Sequence, residues 1–247
     1  MTTITATWEP ERAAVLLRVD PTSPVLSITR TDANGSAAVR LQEDAFPITD
    51  DISVRDYEAA HGLVAYSAAT AAGAVTAEVT VTLTAPRLAA VVLPNARADL
   101  DLITGYESGR QPAVSVHQVI GRADPVPVLG PLRTRTGTLR IFCKSWDAAQ
   151  EVVAVYAAAE VVLLRQPWYR GMDMYHVATG AVTCSPATEA GVRWMVEVPY
   201  TEVRRPIDDL RGAISWTYDR LAATGGTYAQ VRGGYATYAA LSAGPVA

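Results

Sequence analysis

The residues best suited to acid–base chemistry are two aspartates, Asp99 and Asp101, which stand two positions apart in a strand-like stretch. Residues i and i+2 of a strand face the same side of a sheet, so the two carboxylates would be neighbours. A glycosidase uses such a pair when a raised pKa separates the general acid from its partner. A solvated strand face explains the pair without catalysis. We therefore predict no catalytic residue and keep a cell-wall hydrolase as the least favoured alternative.

Metal and cofactor motifs are equally weak. None of the three histidines stands at helical or hairpin ligand spacing from another, and His176 with Asp173 is the nearest approach to a metal pair. A closed metal site needs three or four ligands. Asp56 and Glu58 precede a loop, where calcium would need more oxygens. The chain also has no phosphate loop and no Gly-x-Ser-x-Gly elbow. We predict no metal, no cofactor and no enzymatic activity.

Two aromatic residues stand side by side in a polar loop, Trp168 and Tyr169. Flat rings can stack on sugar faces, but tryptophan and tyrosine are also enriched at protein interfaces. We predict a protein contact and keep a carbohydrate-binding module as the alternative. Three arginines, Arg133, Arg135 and Arg140, share a hairpin region. An acidic neighbour would explain them, but we favour a solvated strand face.

Composition excludes several classes of function. The 247-residue chain has 21 basic and 25 acidic residues and a formal net charge of −4. It lacks a segment dense in Lys and Arg, which argues against electrostatic binding of nucleic acid. No window approaches ~20 uninterrupted apolar residues, so we expect no membrane insertion. Two cysteines, Cys143 and Cys184, cannot form a disulfide framework. We predict buried thiols, with a single bridge left open.

Most of the chain has the pattern of β-strands. Residues 74–84 alternate Val or Leu with Thr or Glu, which is typical of a strand with one buried face. Asn34-Gly35 between two alternating runs predicts a hairpin, because both residues tolerate a positive φ. Prolines around residues 126–128 restrict that extended stretch to a sheet edge. One helix is predicted, with Asp147 as its N-cap and Gln150 completing a capping box.

These elements predict a mainly β fold, because many short strands with one helix are typical of β-sandwich or barrel domains. We expect two small domains, residues 1–97 and residues 98–205, the second with the inserted helix at residues 147–159. A short helical extension follows at residues 206–247.

The extension contains a ten-residue repeat, in which Thr217-Tyr218 recurs as Thr227-Tyr228 and Thr237-Tyr238. Each copy can form one helical turn, which is too short to be stable alone. The repeat must therefore pack on this protein's body or on a neighbour. We add its aromatic residues to the predicted protein contacts: Trp216, Tyr218, Tyr228 and Tyr238.

Four passages together resemble the minor tail proteins of long-tailed phages of actinobacteria, which are related to the distal tail protein family. The first is the hairpin at residues 27–35, followed by Val39-Arg40. The second is DYEAAHGLVAY at residues 56–66, close to the family's D-Y-E-x-P-x-G-x-x-x-Y phrase, with Ala60 where proline is usual. The third comprises four pieces in order: residues 121–128, residues 137–139, the predicted helix and residues 161–167. The fourth is the Thr-Tyr repeat.

The resemblance implies a structural role and carries over no active site. It implies a subunit of the tail tip in the virion, assembled in the host cytoplasm. The N-terminal domain would form a ring, expected to be a hexamer. The ring would join the tail tube protein to the tip, hub or baseplate proteins. A carbohydrate-binding module for the host surface remains the main alternative.

A chain that ends at Ala223 tests the role of the repeat. We expect it to keep its β structure and its melting temperature but to assemble more weakly, because an isolated helical turn needs a partner surface. Circular dichroism and light scattering on the full and shortened chains measure both properties. Aggregation or a much lower melting temperature would instead assign the segment to the protein's own core.

Overall fold

The computed structural model describes residues 2–41, 46–118, 120–169, 171–187 and 193–206. The fold is mainly β, with one helix and several antiparallel sheets, as the sequence predicts. The predicted helical extension lies outside the described residues from residue 207 onward.

The helix is α1 (Trp146–Ala158). The strands, in chain order, are β1 (Thr3–Glu9), β2 (Ala14–Asp20), β3 (Val25–Asp32), β4 (Gly35–Ala38), β5 (Ile52–Asp56), β6 (Gly62–Thr70), β7 (Gly73–Val81), β8 (Arg87–Ala90), β9 (Arg97–Asp99), β10 (Leu102–Tyr106), β11 (Ser115–His117), β12 (Val126–Val128), β13 (Thr136–Cys143), β14 (Val162–Arg165), β15 (Met174–Ala178), β16 (Thr183–Pro186) and β17 (Trp194–Val203).

Two sheets enclose the first buried core. One has the order β1-β2-β5 and the other β4-β3-β6-β7. The predicted hairpin joins β3 to β4, where Asp32 pairs with Gly35 and Gly35 has a φ of 103°. Strand β7 alternates exposed residues with residues on the core, as its sequence indicates. The core consists mainly of aliphatic side chains between Ile4 and Leu83.

The second core lies between an eight-stranded sheet and α1. The sheet has the order β10-β13-β17-β15-β14-β8-β9, with β16 pairing on β17. Side chains of β13 and β17 pack against the buried residues of the helix, which include Val152 and Val155. The division between the two cores falls between Leu83 and Leu88, whereas the predicted division lies at residues 97 and 98.

The helix begins one residue earlier than predicted and has a different cap. Ser145, not Asp147, is the N-cap, and its hydroxyl accepts the N–H of Ala148 at 3.1 Å. Asp147 lies in the first turn, where a negative charge still favours the helix. The earlier start places Trp146 against Trp194, with their ring centroids 4.4 Å apart.

The cysteines do not pair. Cys143 lies opposite Trp194 on β17, while Cys184 lies opposite Val196 on the other side of β17. Two strand spacings of ~4.8 Å separate them, beyond the ~7 Å that a disulfide spans between Cα atoms. Both are free thiols, so the bridge that the sequence left open does not form.

One histidine belongs to the second core. His176 is fully buried, and its Nε2 lies 2.9 Å from the hydroxyl of Tyr156 on α1. Its ring also packs edge-on against Tyr200. Burial lowers the pKa of His176 from its ordinary 6.5 to about 4. The folded chain therefore holds this side chain neutral.

His176 should make the protein less stable in mild acid. Between pH 6.5 and about 4 the unfolded chain binds a proton that the folded chain does not, so stability falls as the pH falls. The full effect is about 3 kcal/mol. Urea unfolding of His176→Gln at several pH values should show a flatter pH dependence than the wild type. The exposed His117, changed to Gln, is the control, and equal pH dependence in all three proteins would contradict the assignment.

Candidate interaction surface

A two-stranded arm projects from the edge of the eight-stranded sheet. It comprises residues 107–135, which leave the sheet after β10 and rejoin it at β13, and it contains β11 and β12. Two glycines permit close approach of the backbone, Gly130 within the arm and Gly137 on β13, where the arm rejoins the sheet. A Cβ on Gly137 would lie 1.9 Å from the carbonyl oxygen of Glu107, and one on Gly130 would lie 2.5 Å from that of Ala113. Any larger residue at either position would push the strands apart.

The outer part of the arm, residues 111–132, is rich in exposed apolar side chains. Between Gln111 and Leu132 the only charged residues are Arg122 and Asp124. Both faces of the β11–β12 pair are exposed. A cavity of about 260 Å³ lies along its base. The exposed large apolar side chains are Val114, Val116, Ile120, Val126, Val128, Leu129 and Leu132. Val116 lies on one face of the β11–β12 pair, and Val126 and Val128 lie on the other. Exposed large apolar side chains concentrated in one segment mark an interaction site more often than single ones do.

A second exposed feature is the aromatic loop, residues 166–169. The buried Gln166 holds it in shape, because its Oε1 accepts the backbone N–H groups of Trp168 and Tyr169 at 2.8 Å. Its Nε2 donates to the carbonyl of Tyr169. The two rings remain 50% and 62% exposed. Trp168 and Tyr169 are thus exposed in a loop whose shape is fixed by a local amide, and their role as a protein contact stays a prediction.

Arg135 connects the arm to the segment after the aromatic loop. Its guanidinium pairs with Glu202, with Nη2 2.7 Å from Oε1, and it also donates to the carbonyls of Gly171 and Asp173 at 3.4 Å. The hydroxyl of Tyr106, at the start of the arm, donates to the carbonyl of Met172 at 3.0 Å. The base of the arm therefore lies beside the segment that follows the aromatic loop. The prediction that Arg135 faces solvent is wrong, because Glu202 and these carbonyls enclose it.

The other two arginines of that group behave differently. Arg140 is exposed on β13 and pairs with Glu197 on β17, and Arg133 is exposed at the base of the arm. Both agree with the predicted solvated surface.

A buried polar junction joins the two cores, and Asp56 lies at its centre. Its two oxygens each accept a hydrogen bond of 2.9 Å from Nη1 of Arg30, and Oδ2 also accepts the hydroxyl of Tyr66 at 3.0 Å. Burial alone would raise the pKa of Asp56, but Arg30 and these hydrogen bonds hold it below its usual range. Nε of Arg30 lies 2.8 Å from a carboxylate oxygen of Asp32.

Glu58, two residues further on, connects this centre to the second core. Its Oε1 accepts Arg40 at 3.3 Å and the hydroxyl of Tyr175 at 3.2 Å. Its Oε2 accepts Nε of Arg205 at 3.1 Å. The sequence placed Asp56 and Glu58 before a loop, as carboxylates with too few oxygens for calcium and as part of the DYEAAHGLVAY passage. Their partners lie far away in sequence, which is why sequence reasoning missed the junction.

Arg165 closes the junction from the second core. Its fully buried guanidinium donates to the carbonyls of Ala59 at 3.0 Å and Ala13 at 2.8 Å, both on the first core. Burial, with a contribution from nearby Arg87, lowers the pKa of Arg165 to about 10. Asp173 also bridges the cores, because it accepts the side-chain amide of Asn34 and the N–H of Gln166, each at 2.9 Å. The two cores therefore share many polar contacts.

The candidate catalytic and metal pairs do not form joint sites. Asp99 pairs with Arg87, and Asp101 pairs with Lys144. Burial would raise the pKa of Asp101, but hydrogen bonds from Lys144 lower it, whereas a general acid needs a raised pKa. His176 contacts Tyr156 rather than Asp173. Within the described residues, no group of three or more His, Cys, Asp or Glu side chains could hold a metal ion.

The predicted contact residues divide into two groups. Trp168 and Tyr169 lie on the surface beside the arm. Trp216, Tyr218, Tyr228 and Tyr238 lie outside the described residues. The sequence also missed the arm as a surface, although its run of apolar residues and prolines with only two charges is visible at residues 111–132.

Comparison with known protein families and with curated proteins gives no match. Among the described residues, none of the helical structure has the length and apolar character needed to cross a membrane.

Arg135 should determine how rigidly the arm and the aromatic loop are held. We expect Arg135→Gln to cost about 2–3 kcal/mol, because it leaves Glu202 without its closest partner. Amide exchange should accelerate in residues 106–111 and 166–173 and stay unchanged in β13. Mass-spectrometric hydrogen exchange measures this, with Arg133→Gln as the exposed control. Uniform acceleration throughout the second core would contradict a local role.

Proposed function

We propose that this chain is a structural protein of the tail tip of a long-tailed phage. In this proposal it assembles as a ring, expected to be a hexamer. The ring connects the tail tube protein to the tip, hub or baseplate proteins. The observation that carries the proposal is the apolar arm, because a surface of this size and character is suited to permanent burial.

The polar junction supports a structural role. The buried guanidinium of Arg165, in the second core, donates hydrogen bonds to two backbone carbonyls of the first core. Glu58 accepts hydrogen bonds from residues of both cores. Removing one member of such a buried network leaves an uncompensated charge or donor, at a cost of about 3–5 kcal/mol. A junction of this kind resists separation of the cores. It lets the arm and the aromatic loop keep a fixed geometry relative to the rest of the subunit, which ring closure requires.

The family resemblance supports the location. The DYEAAHGLVAY passage on which it partly rests supplies Asp56, Glu58 and Tyr66, three members of the junction. These residues hold the junction together. A structural role of this kind is what the resemblance implies, because the family has no active site to transfer. We place the assembled protein in the virion tail, after synthesis in the host cytoplasm, without nucleic-acid binding or membrane insertion.

A second candidate function is carbohydrate binding at the host surface. The aromatic loop favours it, because Gln166 preforms a loop that presents two exposed rings. Such rings could stack on sugar faces. The preference for a structural protein comes from the arm, whose apolar surface of seven side chains is not suited to a polar sugar ligand.

Mass measurement and electron microscopy test the ring. We expect the full chain, alone or with a neighbouring tail protein, to form rings of six copies of the 26.3 kDa chain, about 158 kDa of this subunit. Light scattering coupled to size exclusion and negative-stain images report the copy number.

Binding to purified host cell walls distinguishes the two candidates. A structural protein should bind weakly, and Trp168→Ala should leave that binding unchanged. Leu63→Ala, which shortens an exposed side chain on β6 of the first core, is the control. Tight wall binding by a monomer, lost in Trp168→Ala and without rings under the microscope, would contradict the structural proposal.

A further inference from the structure

Two buried arginines lie directly opposite each other on neighbouring strands of the eight-stranded sheet. Arg165 on β14 pairs with Arg87 on β8, so their Cβ atoms are ~5 Å apart on the same face of the sheet. Their neighbours in sequence, Leu164 and Leu88, pack in the second core, so the two arginines face the other way, toward the first core. Like charges in this position repel each other. The pair is therefore destabilising unless negative charge lies beside it.

Asp99 supplies one negative charge, but on one side only. It pairs with Arg87 from β9, which flanks β8 on the side opposite to β14. Nη2 of Arg87 donates to Oδ2 of Asp99 at 2.7 Å, and Nε donates to Oδ1. A guanidinium is planar and rigid, so Nη1 lies on the other side of Cζ from these two nitrogens. Nη1 is therefore directed away from Asp99 and toward Arg165. In this row one carboxylate faces two guanidiniums, which leaves one positive charge.

Arg165 contacts only neutral groups. Its Nη1 and Nη2 donate to the backbone carbonyls of Ala59 and Ala13, and none of its hydrogen bonds within the described residues goes to a carboxylate. Asp56 and Asp173 are near enough to act on its charge, but their hydrogen bonds come from other groups of the junction. Buried charges in proteins are normally paired. Arg165 is therefore a buried cation that still needs a negative partner.

Each of the two arginines also has one buried nitrogen without a hydrogen-bond partner among the described residues. These atoms are Nη1 of Arg87 and Nε of Arg165. Nε of Arg30 and Nε of Arg40 also make no hydrogen bond, but each of those arginines has a carboxylate oxygen within 3.3 Å. Buried donors are rarely left unpaired, and an ion or a water molecule commonly satisfies them. The position between Arg87 and Arg165 therefore combines two unpaired donors with an excess of positive charge.

We infer that a small monovalent anion, of the size of chloride, binds between Nη1 of Arg87 and Nε of Arg165. One such ion accepts both N–H groups and balances the single positive charge that Asp99 leaves. Both donor atoms are out of contact with solvent, so the position suits a monatomic ion better than a phosphate, a sulfate or a side chain of a partner. The unfolded chain does not hold the two arginines together, so the ion stabilises the folded chain. The site is independent of ring formation, and its failure would leave the proposed function as it stands.

Urea unfolding at constant ionic strength tests the site, with sodium chloride replacing sodium gluconate step by step. Gluconate is too large for the position between the two arginines. An anion that binds only the folded chain lowers the unfolding constant by the factor 1 + [L]/Kd. We expect full replacement at ~0.15 M salt to lower the unfolding constant about tenfold, which corresponds to a Kd of about 15 mM. Bromide should act as chloride does. An unfolding constant that is the same in all three salts would overturn the inference.

Two variants locate the effect. Arg87→Gln removes Nη1 together with one positive charge, so the dependence on chloride should disappear. Arg55→Gln is the matched control, because Arg55 also donates through Nε and Nη2 to one carboxylate, that of Glu9, but lies on β5 of the first core. It should keep the dependence of the wild type. Equal dependence on chloride in all three proteins would assign the effect to another part of the chain.

Anomalous diffraction from wild-type crystals grown in sodium bromide gives a measurement that does not require Arg87→Gln to fold. We expect a bromide peak within hydrogen-bond distance of both Nη1 of Arg87 and Nε of Arg165. A water molecule at this position, without anomalous signal, would overturn the anion. A bromide peak without any effect of halide on unfolding would show an adventitious ion only and would overturn it as well.

Discussion

Arg30 and Asp56 meet where almost no solvent reaches either side chain, with both carboxylate oxygens 2.9 Å from one guanidinium nitrogen. A buried ion pair of this kind is costly to form, and it persists only when further hydrogen bonds satisfy the remaining atoms. Tyr66 and the N–H of Glu58 provide such bonds for Asp56. Glu58 in turn reaches Tyr175 and Arg205, so the first core's ion pair continues into the second core. The relative position of the two cores depends on this chain of contacts.

The positions of the arm and the aromatic loop depend on the same polar junction. Arg165 crosses the junction at the end of β14, and the next residue, Gln166, shapes the aromatic loop. Asp173 links that part of the chain to Asn34 on the β3–β4 turn. Arg135 then connects it to the base of the arm. These hydrogen bonds fix the positions of the arm, the aromatic loop and the first core relative to one another. A subunit that assembles needs its contact surfaces held in fixed positions.

Sequence patterns predicted the elements whose causes are local. The Asn34-Gly35 pair predicted the hairpin, in which Gly35 has the positive φ, and the alternation of β7 followed from its one buried face. Three strands, β1, β5 and β9, were missed because they are short or rich in threonine and alanine, and β5 pairs with β2, which is distant in sequence. The polar junction could not be predicted, since Arg165 and Ala13 are 152 residues apart and meet only after both cores form. The N-cap was misassigned because Ser145 and Asp147 are both good capping residues, and packing of Trp146 favours the earlier start.

The central claim is that the apolar arm is an assembly surface. Electron cryomicroscopy of particles assembled from the full chain tests it most directly, at a resolution that separates strands ~4.8 Å apart. The account predicts that in every copy the arm, residues 107–135, lies against the body of the next copy, with Val116 enclosed. A particle in which the arms project into solvent, while other surfaces make all of the contacts between copies, would contradict it.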